Sequence, residues 1–271
     1  MDLGLEEKGA LVTGGSRGLG RATALTLAEE GCNIAIAART AEALAATADE
    51  IRAKHVDVHV IVADVTVPED VDRMVSTAAA SLGRLDMVIA NAGGSQPGGL
   101  LEASDDDWRA TLDINLMHAV RTIRASVPHM RENGGGSIVI VSSISGLVPA
   151  VPAQYGVAKA AQVFLAGALS LELAQYNIRV NCVAPGSTMF EGGGWATRME
   201  EQPDRMEEFI TSQFPHKRLG TAREIADAIT FLCSPRSSWI VGATLQVDGG
   251  QQNPGLWSAA QLPGPETHAS G

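Results

Sequence analysis

Tyr155 and Lys159 are the residues of this chain whose types and spacing most clearly indicate chemistry. They follow Ser143 in the stretch SSISGLVPAVPAQYGVAKAA. On a helix, residues four apart lie on the same face one turn apart, so the phenol and the ammonium project to the same side. A neighbouring cation favours phenolate and lowers the pKa of a tyrosine, which makes the phenol a proton donor and acceptor near neutral pH. An isolated pair would also fit an exposed tyrosine beside a solvated lysine.

A glycine-rich segment near the start of the chain indicates a site for a nucleotide. A short apolar run at 10–12 is followed by Gly14, Gly18 and Gly20, and then by an apolar-periodic stretch at 21–30. A strand, a tight glycine turn and a helix bring backbone N–H groups and the helix N-terminus against a pyrophosphate. Glycine is required where a Cβ would block the turn or the phosphates. The strand–turn–helix context disfavours the alternative, a glycine turn that only closes a loop.

The rest of the chain alternates short β-rich runs with helical stretches. Short, fully apolar strands that alternate with helices indicate a parallel sheet covered on both faces. The pattern predicts strands at 33–38, 58–63, 85–90, 137–141 and 178–183, and helices at 67–82, 105–130 and 153–176.

With the glycine turn and the Tyr-x-x-x-Lys pair together, the chain resembles the short-chain dehydrogenase/reductase family. Within that family it resembles members that are similar to the 3-oxoacyl-acyl-carrier-protein reductases. The resemblance covers residues 5–250. Further matches are Asp64, Asn91-Ala92-Gly93, Asn115, Pro185-Gly186 and the closing segment RLGTAREIADAITFLCSPRSSWIVGATLQVDGG. The resemblance implies an α/β fold, a Rossmann-type doubly wound three-layer sandwich with a seven-stranded parallel sheet. It also implies one dinucleotide-binding and catalytic domain at 1–250, a substrate lid at about 187–215 and a C-terminal tail at 251–271.

The end of the second predicted strand favours NADP over NAD. In NAD-specific relatives a carboxylate there accepts hydrogen bonds from the ribose hydroxyls. This chain has Ala38 at that position, Arg39 directly after it, and Arg17 in the glycine turn. Two guanidiniums beside the adenosine ribose form a clamp for a 2′-phosphate, so we predict NADP (NADPH) as the cofactor. Each arginine alone would also fit a solvated surface charge.

The resemblance assigns the remaining cofactor contacts. Asp64 would bind the adenine amino group, with a strand-end cap as the alternative, and Val65 would pack beside the ring. Thr188 comes earlier than the family's carboxamide-binding threonine, and Phe190 stands in that threonine's place. The family's second asparagine is Ala90 in this chain. The predicted cofactor-binding residues are Gly14, Ser16, Arg17, Gly18, Leu19, Gly20, Arg39, Asp64, Val65, Asn91, Ala92, Gly93, Tyr155, Lys159, Pro185, Gly186 and Thr188.

The resemblance also implies a catalytic set. Tyr155 would be the general acid toward a substrate carbonyl, and the base in the reverse direction. Lys159 would lower the pKa of Tyr155 and bind the nicotinamide ribose. Asn115 resembles an asparagine that kinks a helix and holds a water beside the lysine for proton relay.

The serine that would polarise the carbonyl oxygen has two neighbouring candidates. Ser142 has the family's commonest spacing to Tyr155, whereas Ser143 lies three residues before Gly146 and matches a local S-x-x-G pattern. We assign the role to Ser143, because the strand end is the better anchor, with Ser142 as the alternative and Ser145 third. A hydroxyl held there acts as a fixed dipole aimed at developing charge.

The segment FEGGGWATRMEEQPDRMEEFITSQFP predicts a mobile lid over the substrate. Its hinge candidates are Gly192, Gly193 and Gly194. An apolar inner surface favours an apolar or ring-containing ketone, with ordinary packing inside the lid as the alternative; the residues are Met189, Phe190, Trp195 and Met199. The turn His216-Lys217-Arg218 is interpreted as solvated rather than as a site for an acidic substrate group.

The composition excludes several classes of partner. The 271-residue chain has a net charge of −11 and scattered basic residues, so neither nucleic acid nor an anionic membrane is an expected partner. No apolar run reaches the ~18 residues of a spanning helix, and the N-terminus lacks the features of a signal peptide. Cys32, Cys182 and Cys233 lack metal-ligand spacing. We interpret them as buried residues in a reducing cytoplasm and predict no metal site.

Three functions fit these residues. The first is an NADPH-dependent carbonyl reductase, and the second is an enzyme that oxidises a secondary alcohol of a sugar, polyol or steroid. The third is a non-catalytic dinucleotide-binding scaffold. Arg17 and Arg39 disfavour the second function, because cellular NADP is mostly reduced. The complete catalytic set disfavours the third.

The resemblance further implies a homotetramer, with a dimer as the runner-up. Family members commonly pair the helices predicted at 105–130 and 153–176 in four-helix interfaces. Small residues on faces beyond what one sheet needs to cover fit this arrangement, namely Ala158, Ala161 and Ala168.

Overall fold

Seven parallel strands form the central sheet. The computed structural model describes residues 2–251, so the predicted tail at 251–271 lies outside the described residues apart from Gln251. In chain order the strands are β1 (Gly9–Thr13), β2 (Asn33–Ala38), β3 (Val58–Val62), β4 (Met87–Ala90), β5 (Gly136–Val141), β6 (Ile178–Pro185), β7 (Thr188–Met189), β8 (Gly220–Thr221) and β9 (Thr244–Val247). The sheet order is β3-β2-β1-β4-β5-β6-β9, and β7 pairs only with β8. The predicted fold class is confirmed.

Helices cover both faces of this sheet. Within the described part of the chain the α-helices are α1 (Gly18–Glu29), α2 (Ala41–Arg52), α3 (Pro68–Leu82), α4 (Asp105–Leu112), α5 (His118–Glu132), α6 (Ala153–Leu173), α7 (Gly194–Glu201), α8 (Pro203–Gln213) and α9 (Ala222–Cys233). The predicted helix at 105–130 is interrupted, because a π-helical turn at Asp113–Met117 separates α4 from α5. Two of these helices, α7 and α8, lie within the predicted lid.

The alternation of side chains along each strand divides the core into two layers. In β1, Leu11 packs into one layer, while Ala10 and Val12 pack into the other. Helices α3, α5 and α6 cover the first layer, and α1, α2 and α9 cover the second. Strands buried on both faces need apolar residues throughout, which explains why β4 reads as an unbroken apolar run.

The order of the strands creates a crevice at one edge of the sheet. Strand β1 pairs with β2 on one side and with β4 on the other. The connections after β1 and β4 therefore run to opposite faces, and ligands of such sheets bind outside the carboxyl ends of the strands at this point. The glycine turn follows β1, Asn91 follows β4, and Ser142 follows β5.

Helix α6 is more apolar than the sequence reading anticipated. By length and composition alone, the segment Ala153–Tyr176 could cross a membrane. It contains an 18-residue stretch with a mean hydropathy of 1.4, of which 33% is buried inside the protein. A core helix of a globular domain passes the same test, and the inner residue Ala166 packs in the core layer under α6. The prediction that Ala158 lies on an uncovered face is wrong, because it is fully buried. The uncovered face carries Val157, Phe164 and Leu171 instead.

Candidate active site

The glycine turn after β1 forms a cradle in which Gly14, Gly18 and Gly20 are positions that require glycine. Gly14 and Gly18 have φ angles of +66° and +55°, in the region that favours glycine. A Cβ on Gly20 would overlap the carbonyl oxygen of Gly14. Arg17 precedes α1 without a side-chain cap, so the first N–H groups of this helix have no side-chain acceptor. Uncapped N–H groups at a helix start fit the pyrophosphate of a dinucleotide.

A cleft of about 860 Å³ extends from this turn to the start of α6. It brings together most of the predicted cofactor residues, namely Gly14, Ser16, Arg17, Gly18, Leu19, Gly20, Arg39, Asp64, Val65, Asn91, Ala92, Gly93, Tyr155 and Lys159. Its remaining lining was not predicted as cofactor-binding and comprises Ala38, Thr40, Ala43, Ala63, Gly94, Ile114, Val141, Ser142, Phe190, Gly192, Gly193, Gly194, Trp195 and Arg198.

Three predicted cofactor residues do not line this cleft. Pro185 is buried at the end of β6, and the N–H of Gly186 donates to the carbonyl of Val247. Thr188 is buried and its hydroxyl donates to the carbonyl of Gly186 at 3.0 Å. Phe190 does reach the cleft, where its ring lies directly against Gly18.

Two arginines and no carboxylate stand at the end of β2. Arg17 and Arg39 are both exposed and line the cleft beside Ala38. Asp64 follows β3, and its Oδ1 accepts hydrogen bonds from the N–H and hydroxyl of Thr66 at 2.9 and 2.7 Å. The bond from the Thr66 N–H is the main reason why the pKa of Asp64 is lowered, and the charge of Arg39 adds to it. Asp64 therefore serves as a strand-end cap while its carboxylate also faces the cleft.

The floor of the cleft after β4 is held by a buried threonine. Thr13 Oγ1 accepts from the N–H groups of Asn91 and Ala92 at 3.0 and 3.1 Å, and lies 2.9 Å from His118 Nε2. Asn91 Nδ2 donates to the carbonyl of Thr13 at 2.8 Å. His118 is fully buried, and desolvation lowers its pKa to about 3, so the ring is neutral. This support was not visible in the sequence, because it joins residues of β1 and α5.

The two candidate serines point in different directions. Ser142 is buried and its hydroxyl donates to the backbone carbonyl of Lys159 at 2.8 Å. The hydroxyl of Ser143 is hydrogen-bonded to Tyr155 and also accepts from the N–H of Ser145 at 3.1 Å. The geometry therefore brings Ser143, not Ser142, against the phenol.

Burial sets the charge of the Tyr155–Lys159 pair more than proximity does. The Nζ of Lys159 lies 5.6 Å from the centroid of the Tyr155 ring. Desolvation raises the pKa of Tyr155, and the hydrogen bond from Ser143 only partly opposes it. Desolvation also lowers the pKa of Lys159 to about 8. We expected Lys159 to lower the pKa of Tyr155 overall. The pKa is raised instead, because desolvation of the half-buried phenol in the cleft wall outweighs the effects that lower it.

Asn115 lies inside the π-helical turn, fully buried beneath the cleft. Its Nδ2 donates to the carbonyls of Thr111 and Gly94 at 2.7 and 2.6 Å. A Cβ on Gly93 would lie 2.7 Å from Asn115 Oδ1 and 3.3 Å from Lys159 Nζ, so glycine is required for this close approach. The side chain of Asn115 thus ties the kinked helix to the loop after β4.

The segment predicted as a lid has its own small core and contributes residues to the cleft wall. Met189, Trp195 and Met199 pack against a cluster of Met206, Phe214 and Leu219. Trp195 stacks on Phe209 at 5.2 Å between ring centroids and also lines the cleft. The apolar residues of the lid are therefore shared between packing within the lid and the wall of the cleft.

The basic turn after the lid lies away from the cleft. Arg218 pairs with Glu224, with Nη1 2.9 Å from Oε2, and Lys217 donates to the carbonyl of Thr211. Neither residue lines the cleft. Among residues 2–251, no group of three His, Cys, Asp or Glu side chains is arranged to hold a metal ion.

Comparisons with known proteins give a consistent result over nearly the whole chain. A family model described as enoyl-(acyl carrier protein) reductase matches residues 14–252. The chain is 35% identical to the 3-oxoacyl-[acyl-carrier-protein] reductase of Staphylococcus aureus over 246 residues, which are 90% of this chain and 97% of that protein.

Solved structures agree in fold. The L-sorbose reductase of Gluconobacter frateurii, in complex with NADPH and L-sorbose, superposes with a TM-score of 0.88 and 35% identity, covering 93% of this chain and 98% of that one. A 7α-hydroxysteroid dehydrogenase in complex with NADH and 7-oxo glycochenodeoxycholic acid superposes with a TM-score of 0.86 and 29% identity, covering 92% of this chain and 96% of that one.

Proposed function

This chain belongs to the short-chain dehydrogenase/reductase family, and we propose that it reduces a ketone to a secondary alcohol with NADPH. One observation carries the proposal. A single cleft has Arg17 and Arg39 at one end and the pair Tyr155 and Lys159 at the other. The cleft contains the two arginines, the glycine turn and the proton donor. This set fits a bound dinucleotide with the substrate next to its nicotinamide.

When bound, NADPH supplies the hydride. Tyr155 gives its proton to the carbonyl oxygen, and burial favours the neutral, proton-carrying phenol. Ser143, hydrogen-bonded to Tyr155, polarises the same oxygen as a fixed dipole. Lys159 holds a positive charge beside the phenol, which stabilises the phenolate formed when the proton leaves.

The preference for NADP rests on charge. Arg17 and Arg39 form no carboxylate ion pair among the described residues of a chain with net charge −11. Ala38 leaves the end of β2 without the acid that would repel a 2′-phosphate. The NADPH complex of the related sorbose reductase supports the same choice. The segment at about 187–215 is the proposed substrate lid.

The oxidation of a secondary alcohol is the second candidate. A related structure is named a 7α-hydroxysteroid dehydrogenase and holds NADH, which supports an NAD-dependent enzyme with a ring-containing substrate as this second candidate. The two candidates are separated by which cofactor binds more tightly. A non-catalytic scaffold is the least favoured function, because it gives no reason for Tyr155 and Lys159 to line the cleft together or for Ser143 to bond Tyr155.

The proposed assembly is a homotetramer, with a dimer as the runner-up. Val157, Phe164 and Leu171 recur every seven residues on the outer face of α6 and are exposed, Phe164 by 79% and Leu171 by 82%. A second apolar patch lies near the edge strand β9, where Trp239 is 96% exposed and Val241 is also exposed. Two separate patches allow two kinds of two-fold contact, as dihedral tetramers require.

The proposed compartment is the cytoplasm. Cys32, Cys182 and Cys233 are all free and buried, which fits a reducing environment.

The function is tested by following NADPH oxidation in the presence of a panel of apolar, cyclic and β-keto ester ketones. Tyr155→Phe should lower kcat by at least about a thousandfold while NADPH still binds, since only the proton donor is lost. A wild-type protein that binds NADPH and turns over no ketone, but oxidises secondary alcohols with NAD, would contradict the proposal.

A further inference from the structure

Gln162 joins Lys159 to the backbone of Asn115. It lies three residues after Lys159 on α6 and is fully buried. Its Oε1 accepts from Lys159 Nζ at 3.0 Å, and its Nε2 donates to the carbonyl oxygen of Asn115 at 3.0 Å. The orientation of the amide is fixed by its neighbours, since an ammonium only donates and a carbonyl only accepts.

The hydrogen bonds of Lys159 can be counted from this geometry. An ammonium has three N–H donors. One is taken by the carbonyl of Val141 at 3.0 Å and a second by Gln162 at 3.0 Å, both on the buried side. One donor is left for the cleft, which Lys159 lines beside Tyr155.

We propose that Gln162 is a positioning residue, which holds the ammonium of Lys159 charged and aimed into the cleft. The inference rests on the proposed function for its catalytic meaning. The family resemblance implies that a relay water lies beside the lysine and is held by the asparagine at position 115. In this chain a fixed side chain makes a bridge between the same two partners, Lys159 Nζ and the Asn115 carbonyl. A carbonyl oxygen against an ammonium favours its charged form.

The charge of Lys159 also depends on the titratable groups that face it. These are Tyr155 on α6, Cys182 on β6 and His118 on α5. Cys182 raises the pKa of Lys159 only slightly against desolvation, and the pKa of its own thiol is raised by burial to about 11. His118 is neutral above about pH 3. Of the two buried acceptors of Lys159 Nζ, Val141 contributes a backbone carbonyl and Gln162 a side chain. Substitution of Gln162 can therefore change the pKa of Lys159.

The test uses two side chains of nearly the same size as glutamine. Gln162→Met keeps the packing and removes the acceptor, so the pKa of Lys159 should fall by about one unit. Gln162→Glu places a carboxylate at the same distance, so the pKa should rise by about one unit or more. Gln175→Met, the same change at an exposed position, is the matched control. A role in packing alone would not produce shifts of opposite sign.

The direct readout is the titration of lysines labelled with ¹³C at Cε, followed by NMR in the full-length protein. The lysines are Lys8, Lys54, Lys159 and Lys217, and Lys159→Arg identifies the buried one. The alkaline limb of the kcat profile should move with the Lys159 titration, down in Gln162→Met and up in Gln162→Glu, while the KM for NADPH changes less.

Two outcomes overturn the proposal: titration of Lys159 in Gln162→Met at the wild-type pH, or shifts in the same direction in both variants. Should Gln162→Met fail to fold, Gln162→Glu decides alone, and a Lys159 pKa that does not rise is then the contrary result. The NMR titration needs no turnover, so an inactive wild-type protein would defeat the proposed function and still leave the test of Gln162 decisive.

Discussion

At the scale of single residues, the catalytic pair gains its properties from burial. Tyr155 keeps its proton because desolvation disfavours phenolate, and Lys159 loses part of its charge near pH 8 for the same reason. A reductase needs both, a protonated phenol to donate and a charged lysine to stabilise what remains. The two shifts therefore favour reduction below about pH 8.

The first prediction concerns pH. Lys159 is charged below its pKa of about 8 and neutral above it, so kcat for ketone reduction should fall as the pH rises through about 8. The measurement is kcat between pH 6 and 10 with a ketone that does not titrate in this range. A profile that stays flat to pH 10 would show that the charge of Lys159 is not required.

The second prediction separates the two serines. Ser143→Ala should lower kcat by about a hundredfold or more, because the hydroxyl beside Tyr155 is lost. It should also lower the free energy of unfolding by about 1 kcal/mol, because the bond from the Ser145 N–H is lost. Ser142→Ala should leave most of kcat and lower the free energy of unfolding by about 1 kcal/mol, because its bond to the Lys159 carbonyl is lost. Steady-state kinetics and urea unfolding measure both. A larger loss of kcat in Ser142→Ala would reverse the assignment.

At the scale of elements, turns and helix starts bring the reacting groups together. The cradle after β1 depends on the close approach of Gly20 to Gly14, and the floor after β4 depends on Thr13 and His118. The π-helical turn between α4 and α5 lets Asn115 bond the loop after β4. The contacts of Thr13 with His118 and of Asn115 with Gly94 join segments that are separate in the chain, and they fix these elements relative to the cleft.

The third prediction tests the cradle. In Gly20→Ala the added Cβ overlaps the Gly14 carbonyl, so the turn must shift. NADPH and NADH should both bind at least about tenfold more weakly, with their ratio unchanged, since both share the pyrophosphate. Fluorescence titration measures both constants. Equal weakening is the decisive feature, and a change in the ratio alone would place the glycine turn outside the pyrophosphate site.

The sequence predicted the elements that depend on local spacing. Tyr155 and Lys159 share a helical face, and the glycine turn follows a strand, so their patterns are readable without a structure. Gln162 stands three residues after Lys159 on the same face and could have been found by the same rule. Arg198 could not, because its place in the cleft depends on the path of the segment that follows β7.

At the scale of the whole molecule, the parallel sheet collects residues from across the chain at one edge. The same fold leaves one apolar face of α6 uncovered, where Phe164 and Leu171 are exposed. A monomer that exposes such a stripe has a surface suited to self-association.

The fourth prediction concerns this face. The wild-type protein should sediment as four copies of the 28.2 kDa chain, and Phe164→Asp should produce smaller species, because a carboxylate cannot be buried unpaired in an apolar interface. Val62→Asp, an exposed apolar position on the far edge strand β3, should leave the assembly intact. Analytical ultracentrifugation compares the three proteins. A monomeric wild-type protein would refute the proposed assembly.

The most direct test of the account is a side-by-side titration of the purified protein with NADPH and NADH, followed by fluorescence. We predict that NADPH binds at least about tenfold more tightly, or 1.4 kcal/mol, and that Arg39→Asp abolishes this preference. NADH binding that equals or exceeds NADPH binding would contradict the account, because Arg17 and Arg39 would then have no phosphate to recognise.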